Sequence, residues 1–111
     1  MTFLAGKSCQ PCREGAPLAT AQEIENYLAQ LPGWHITETA GVNHLHKTYR
    51  FKNFAQALQF TNRVGAIAEQ QQHHPAILTE WGKVTVSWWT HKIAGLHVND
   101  FIMAARTDEL G

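Results

Sequence analysis

Residues 53–91 decide the fold, and they read NFAQALQFTNRVGAIAEQQQHHPAILTEWGKVTVSWWTH. In the first half of this stretch, apolar residues recur every three or four positions, which is typical of one face of a helix. The predicted helix runs from about residue 53, where Asn53 is an N-cap candidate, to about residue 71. Its apolar face consists of Phe54, Ala57, Leu58, Thr61, Val64, Gly65 and Ala68, widened by Phe60 and Ile67. Pro75 disfavours the α conformation at His74, so the helix ends at or before that residue.

The second half of the stretch predicts two strands. Residues 83–90 form the most β-like run in the chain, and residues 77–80 form a shorter one. Trp81-Gly82 between them indicates a tight turn, so the two strands pair antiparallel. The polar run 70–72 before them predicts a frayed helix end.

Further helix and strand patterns lie upstream and downstream of this stretch. Thr20 and Glu23 form a capping box that opens a helix over about 20–30. Residues 34–38 and 42–52 alternate as two strands of a hairpin, and a last helix covers about 99–109. On the second strand, one face carries Leu45, Lys47, Tyr49 and Phe51, and the other carries His44, His46, Thr48 and Arg50.

The order of elements predicts an α+β fold of a single domain. Helix, two strands, helix, two strands, helix gives a four-stranded antiparallel sheet with three helices on one face. Residues 1–19 are an irregular leader, and the domain covers 20–111. Because an open sheet edge on so small a domain favours pairing with another copy, we expect a homo-oligomer.

Composition excludes some classes of protein. The chain has 111 residues, and its 9 Lys and Arg balance 9 Asp and Glu. It therefore lacks the basic surface of a nucleic-acid binder, and we expect no direct nucleic-acid contact. No apolar stretch is long enough to span a bilayer and the N-terminus does not have the pattern of a secretory signal, so we expect a cytoplasmic protein without membrane contact.

Three histidines stand at the ends of predicted elements. His73 and His74 leave the long helix at its C-terminus, where the helix dipole favours the imidazolium form, so one of them could act as a general acid. His91 ends the last predicted strand beside Lys92, a cation that favours neutral imidazole and therefore a general base. An acid and a base in one pocket indicate proton-transfer catalysis, provided that the two ends converge in space.

Other candidate ligands carry weaker patterns. His44 and His46 share a strand face and could be half of a metal site, but no carboxylate or cysteine accompanies them, which favours a solvent-facing position. Cys9 and Cys12 could be half of a metal site or a redox pair. A second cysteine pair and a strand-to-helix context are missing, so we expect incidental thiols and no metal. His35 and His97 receive no role.

Several motifs together resemble the pterin-4a-carbinolamine dehydratase family over about residues 20–110. They are His73-His74-Pro75, Trp81-Gly82-Lys83-Val84, Thr90-His91, Ala94-Gly95-Leu96 and Asp100, with Gly33-Trp34 and Phe51-Lys52-Asn53-Phe54 upstream. The leader with two cysteines is similar to that of bacterial members. The resemblance implies the fold predicted above, assembled as a dimer or tetramer.

The resemblance also implies a reaction and a site. The reaction is loss of water from a 4a-hydroxytetrahydropterin to give the quinonoid dihydropterin, which recycles the pterin cofactor of aromatic amino-acid hydroxylases. The pterin is the substrate, and no cofactor or metal is needed. The catalytic residues implied are His73, His74, His91 and Asp100. The pterin pocket would be lined by the three histidines with Gln72, Trp89 and Thr90. Among these, we expect His74 as a principal acid/base group, His91 as its opposite number and His73 as a binding or assisting residue.

The chain departs from the family pattern where many members carry acidic residues. Ala76-Ile77 follow the proline, Lys92 follows His91 and Gln72 precedes the histidine pair. Two other functions compete with catalysis. Relatives of this fold act as a dimerisation cofactor for a homeodomain transcription factor or assist assembly of a carboxylase, but they tend to lose the catalytic histidines. A metal-binding protein could instead use His44, His46, His73, His74 and His91.

Overall fold

Residues 18–110 are the part of the chain that the computed structural model describes. Most of the predicted leader 1–19 lies outside these residues, and so do Cys9 and Cys12. The elements in order are α1 (Ala21–Leu28), β1 (His35–Thr39), β2 (Val42–Arg50), α2 (Phe54–Gln71), β3 (Ala76–Glu80), β4 (Lys83–Trp88), a short 3-10 helix (His91–Ile93) and α3 (Val98–Leu110).

The four strands form one antiparallel sheet in the order β1-β2-β4-β3. Leu45 of β2 lies opposite Trp88 of β4, and the alternation of side chains places Val84 and Val86 on the same face. These four side chains are fully buried, and α2 and α3 pack against the sheet. The predicted α+β fold is confirmed.

Local capping explains where the first two helices begin. At α1, the Thr20 hydroxyl accepts from the backbone N–H of Glu23, and the Glu23 carboxylate accepts from the Thr20 N–H, which confirms the capping box. At α2, the Asn53 side chain accepts from the Gln56 N–H. Both caps satisfy N–H groups that lack a partner inside the helix.

The buried face of α2 is narrower than the sequence pattern predicts. Its buried residues are Ala57, Phe60, Val64 and Ala68, whereas Phe54 and Leu58 are 46% and 44% exposed. Each residue of a helix is rotated by about 100° from the one before, so Leu58 points away from the face centred on Ala57. Phe60, predicted at the margin of the face, is part of the core. None of the helices in residues 18–110 is long and apolar enough to cross a membrane.

A polar cluster fixes the far end of α3 to the sheet. The Asp108 carboxylate accepts hydrogen bonds from the Lys47 ammonium at 2.9 Å, from the Trp34 indole N–H and from the Tyr49 hydroxyl. Burial, and then the hydrogen bond to Asp108, raises the pKa of Tyr49. Lys47 can lie on the helix-facing side of β2 because its charge is paired with the Asp108 carboxylate.

Strand β4 ends two residues earlier than predicted. Thr90 leaves the strand and forms an isolated bridge with Gly95, with its N–H donating to the Gly95 carbonyl at 2.8 Å. This pairing closes a small loop around the 3-10 helix. His91 therefore opens a helical turn on a loop and does not end a strand, which corrects the sequence-based expectation.

Candidate active site

The end of α2 sends the two adjacent histidines in different directions. Gln72 adopts the left-handed conformation, with φ 52° and ψ 40°, and the His73 N–H donates to the Ala68 carbonyl at 3.1 Å. Such a left-handed cap satisfies the last carbonyls and turns the chain sharply. The helix thus has a defined end, and the predicted fraying over 70–72 is wrong. After the turn, His73 is buried and His74 is exposed.

His73 is held inside the domain by α3. Its Nε2 lies 2.6 Å from Oδ1 of Asp100, and the two side chains are 5% and 0% exposed. The imidazole also lies nearly parallel to the Trp88 ring, with an interplanar angle of 8° and centroids 5.7 Å apart. A hydrogen bond and a ring contact together leave this imidazole little rotational freedom.

Asp100 connects three segments that are distant in the sequence. Besides its bond to His73, its Oδ2 accepts from the Thr90 hydroxyl and from the His97 backbone N–H, each at 2.9 Å. Three donors on one buried carboxylate satisfy the rule that buried charges are compensated. The network fixes the end of α2, the loop after β4 and the first turn of α3 relative to one another.

His97, which received no role from the sequence, caps α3. Its Nδ1 accepts from the Asn99 N–H at 3.2 Å, while its own N–H donates to Asp100. Burial lowers the pKa of His97; the Asp100 charge partly opposes this effect. The signal in the sequence was Asp100, an acidic residue three positions after the cap, which is half of the capping-box pattern.

His74 forms a second histidine–carboxylate pair at the surface. Its Nε2 lies 2.9 Å from Oε2 of Glu69, one helical turn back, and the two side chains are 56% and 72% exposed. Glu69 was not predicted as a site residue. The imidazole of His74 is accessible to water and to a ligand, while its carboxylate partner restricts its orientation.

The predicted histidines converge on one cavity. It has a volume of about 370 Å³ and is lined by Gln72, His73, His74, Thr90, His91 and Lys92. Volumes of this order suit small-molecule ligands. Trp89 stands beside the cavity, where its ring contacts the His91 ring at a centroid distance of 4.5 Å. Asp100 lies behind the lining, where it contacts His73 and Thr90.

His44 also approaches the cavity, although a solvent-facing position was expected. Its imidazole is half-buried and stacks on the Trp89 ring at 3.9 Å, with an interplanar angle of 5°. Burial, and then the neighbouring His91 imidazole, lowers the pKa of His44. Its neighbour on the same face, His46, is instead hydrogen bonded to Thr37. Within residues 18–110, no three His, Cys, Asp or Glu side chains are grouped so that they could hold a metal ion.

The chain matches a family model over most of its length. The model describes pterin 4 alpha carbinolamine dehydratase and matches residues 17–110. The chain belongs to this family. The resemblance inferred from the motifs is confirmed.

Individual relatives agree with the family model. The chain is 62% identical to "Putative pterin-4-alpha-carbinolamine dehydratase" of Syntrophotalea carbinolica, over 99% of this chain and 98% of that protein. A protein of the same name from Microcystis aeruginosa is 56% identical over 99% of this chain and 95% of its own length. These matches extend along nearly the whole chain, so they span every position of the candidate site.

Solved structures share the dehydratase fold. A transcriptional coactivator/pterin dehydratase from Brucella melitensis superposes with a TM-score of 0.75 at 26% identity, covering 85% of this chain and 98% of that one. A pterin dehydratase-like protein described as a RuBisCO assembly factor in the alpha-carboxysome gives 0.60 at 24% identity, covering 70% and 88%. At that identity, the second likeness concerns the fold alone.

Proposed function

We propose that this protein is a 4a-hydroxytetrahydropterin dehydratase, a hydro-lyase that forms the quinonoid dihydropterin. The observation that carries the proposal is a cavity of about 370 Å³ that His73, His74 and His91 line together. Membership of the pterin 4 alpha carbinolamine dehydratase family supplies the substrate class.

The reaction requires two proton transfers on the pterin. One proton must reach the hydroxyl oxygen on C4a, so that the C–O bond breaks and water leaves. The other must leave N5, whose electrons then form the double bond to C4a. Protons are the only groups exchanged with the protein, and the acid and the base regain their starting states after these protons equilibrate with water. A metal or redox cofactor is therefore not part of the proposal.

Exposure supports different roles for the three histidines. His74 is 56% exposed and its Nε2 lies 2.9 Å from Oε2 of Glu69, so we assign this accessible, oriented imidazole the donor role at the C4a hydroxyl. His91, which also lines the cavity, is exposed and would accept the N5 proton. His73 is buried, and its bond to Asp100 fixes its imidazole. It would therefore bind and orient the pterin, because a side chain held in one geometry positions a ligand well.

The remaining predicted residues surround this arrangement. Gln72 and Thr90 line the cavity and offer an amide and a hydroxyl to the polar edge of the pterin. Trp89 would act on the pterin indirectly, through the contact of its ring with the His91 ring. Lys92 at the wall provides a positive charge where many relatives would place an acidic residue, and this favours pterins with electron-rich or anionic substituents.

The decisive experiment is a stopped-flow ultraviolet assay with freshly prepared 4a-hydroxytetrahydropterin. Wild type should form quinonoid dihydropterin well above the spontaneous rate. His74→Ala and His91→Ala should each reduce kcat by about 100-fold or more, which is the contribution of general acid–base catalysis. His35→Ala is the matched control, because His35 is an exposed histidine on β1 away from the cavity, and it should retain the wild-type rate.

The alternative is a dehydratase-like protein that acts through a protein partner without catalysis. A wild-type rate equal to that of buffer over the whole accessible pH range would favour this alternative. Equal activity of His74→Ala and wild type would reject the assigned roles and leave the reaction itself intact. A functional link to an aromatic amino-acid hydroxylase and a cytoplasmic location belong to the same proposal, since the product is the oxidised form of a hydroxylase cofactor.

The proposal also includes a homodimer or homotetramer. Phe54 and Leu58 are large apolar side chains exposed on one side of α2, where they would be better covered by another copy. Light scattering after size exclusion should give a mass at least twice that of the chain. Leu58→Glu should lower that mass if the α2 surface forms the contact.

A further inference from the structure

Three aromatic rings connect the sheet to the cavity. His44 of β2 stacks face to face on Trp89, at 3.9 Å and 5°. Trp89 in turn contacts His91, at 4.5 Å and 35°. His44 is therefore one ring removed from a histidine that lines the cavity, although it does not line the cavity itself.

The stack has the features of a specific contact. Near-parallel rings at van der Waals distance exclude water from the two faces in contact. Aromatic pairs of this kind contribute to stability beyond the area that they bury. Three ionisable groups face His44: His91 from the loop after β4, Asp100 from α3 and His46 from its own strand. Burial and the two imidazoles favour the neutral form of His44, while Asp100 opposes them, and the pKa is lowered as a result. His44 can therefore stack on the indole as an uncharged aromatic ring near neutral pH.

His91 requires such a contact because the backbone alone restrains it weakly. It is the first residue of a three-residue 3-10 helix, and its side chain is exposed. An exposed side chain on a loop samples several rotamers, whereas a reacting group must be held close to one geometry. The indole of Trp89 limits these rotamers, and the indole is in turn held by His44.

We propose that His44 is a positioning residue that holds the Trp89 indole in the orientation that fixes the His91 imidazole at the cavity wall. The consequence for turnover rests on the proposed dehydratase function, whereas the ring geometry does not. His44 acts through Trp89 and does not contact the pterin.

Three variants test the proposal. His44→Ala removes the ring. His44→Phe keeps a flat ring that cannot titrate. His46→Ala is the matched control, because His46 lies two residues further along the same strand face and is bonded to Thr37, not to Trp89. Each is compared with wild type in two ways: by NMR of the histidine rings and the Trp89 indole in the free protein, and by kcat and KM with 4a-hydroxytetrahydropterin.

We expect His44→Ala to shift the Trp89 indole and His91 ring signals and to lower kcat by about tenfold, within the loss of up to about 100-fold that a misplaced group can cause. KM should change less than kcat, since the reacting group moves and the binding contacts stay. His44→Phe should return the signals and kcat to within about twofold of wild type, and His46→Ala should change neither. His91→Ala should also raise the pKa of His44, because it removes a neighbouring imidazole that lowers that pKa.

The two proposals fail in different ways. Unchanged Trp89 and His91 signals in His44→Ala would overturn the positioning role, whatever the turnover. A wild type without dehydratase activity in which those signals still move would support the positioning role and reject the proposed reaction. Equal losses of kcat in His44→Phe and His44→Ala would also overturn the positioning role, since a stacked flat ring at this position would then not be what maintains turnover.

Discussion

Two histidine–carboxylate pairs lie side by side in this molecule, and the main difference between them is their access to water. The pair formed by His73 and Asp100 is 5% and 0% exposed, whereas the pair formed by His74 and Glu69 is 56% and 72% exposed. The two histidines are neighbours in the sequence, and their distances to the carboxylates, 2.6 Å and 2.9 Å, are similar. The comparison teaches that chemical identity and contact distance do not assign a role, and that solvent access does.

The energetics of the two pairs follow from that difference. Removing one partner of a buried pair leaves an uncompensated polar group in a medium of low dielectric constant, and this costs several kcal/mol. Removing one partner of an exposed pair costs little, because water replaces it. The buried pair therefore organises the site, and the exposed pair remains free to exchange protons with a ligand.

The largest effect expected from this comparison is on stability. Asp100→Ala leaves His73, the Thr90 hydroxyl and the His97 N–H without their acceptor, and it should lower the free energy of unfolding by about 3–5 kcal/mol. Glu69→Ala should lower it by less than about 1 kcal/mol. Urea unfolding followed by circular dichroism measures both. Similar losses in the two variants would contradict the distinction between the buried and the exposed pair.

An effect of intermediate size is the pH dependence of stability that comes from His97, the residue that caps α3 and donates its N–H to Asp100. The pKa of His97 lies below its ordinary value of 6.5, chiefly because of burial. As the pH falls through about 6.5, the unfolded chain binds a proton that the folded protein resists, so the stability contribution present at higher pH is lost on acidification. Protonation also removes the Nδ1 acceptor for the Asn99 N–H.

Replacement of His97 by a residue that caps without titrating isolates this effect. Between about pH 7 and about pH 5.5, His97→Asn should lose less stability than wild type, by about 1 kcal/mol, the usual value of a helix N-cap. Chemical unfolding at the two pH values gives the difference. Parallel losses in the two proteins would mean that other groups cause the acid sensitivity.

The smallest effect on stability is expected at the exposed pair, where it separates function from folding. Glu69→Gln keeps an acceptor for His74 but removes the charge. The free energy of unfolding should change by less than about 1 kcal/mol, and kcat should fall by less than about tenfold, since an exposed pair contributes no more than that. Unfolding and stopped-flow assays on one preparation compare the two. A large loss of stability would show that this pair is structural after all.

Much of the fold could be predicted from residues close together in the chain. The capping box of Thr20 and Glu23, the N-cap at Asn53 and the stop imposed by Pro75 each depend on interactions over a few positions, and each lies where it was predicted. The strands of β2 and β4 followed from alternation. One error lay at an element end, because Thr90 bonds to Gly95 and Asp100 outside β4. Another lay on the face of α2, where Phe54 and Leu58 are exposed.

The candidate site was only partly predictable. His73, His74 and His91 were chosen from their positions at element ends and from the family resemblance, and the cavity brings them together. Glu69, His97 and His44 were missed. The partners of Glu69 and His44 could not be identified without the exact end of α2 and the register of the sheet, because His44 meets Trp89 only across the β2–β4 pairing.

The sequence by itself determined the elements, the caps of the first two helices and the family, since each of these depends on periodicity or on motifs within short segments. Only the tertiary structure decided which histidine is buried and which is exposed. His73 meets a carboxylate that lies 27 residues away, whereas His74 meets one 5 residues back, on the helix that ends before it. Trp88 and the packing of α3 exclude water from the first pair, whereas water remains around the second. That difference in solvation distinguishes two adjacent, identical side chains, of which His74 is open to solvent and His73 is not.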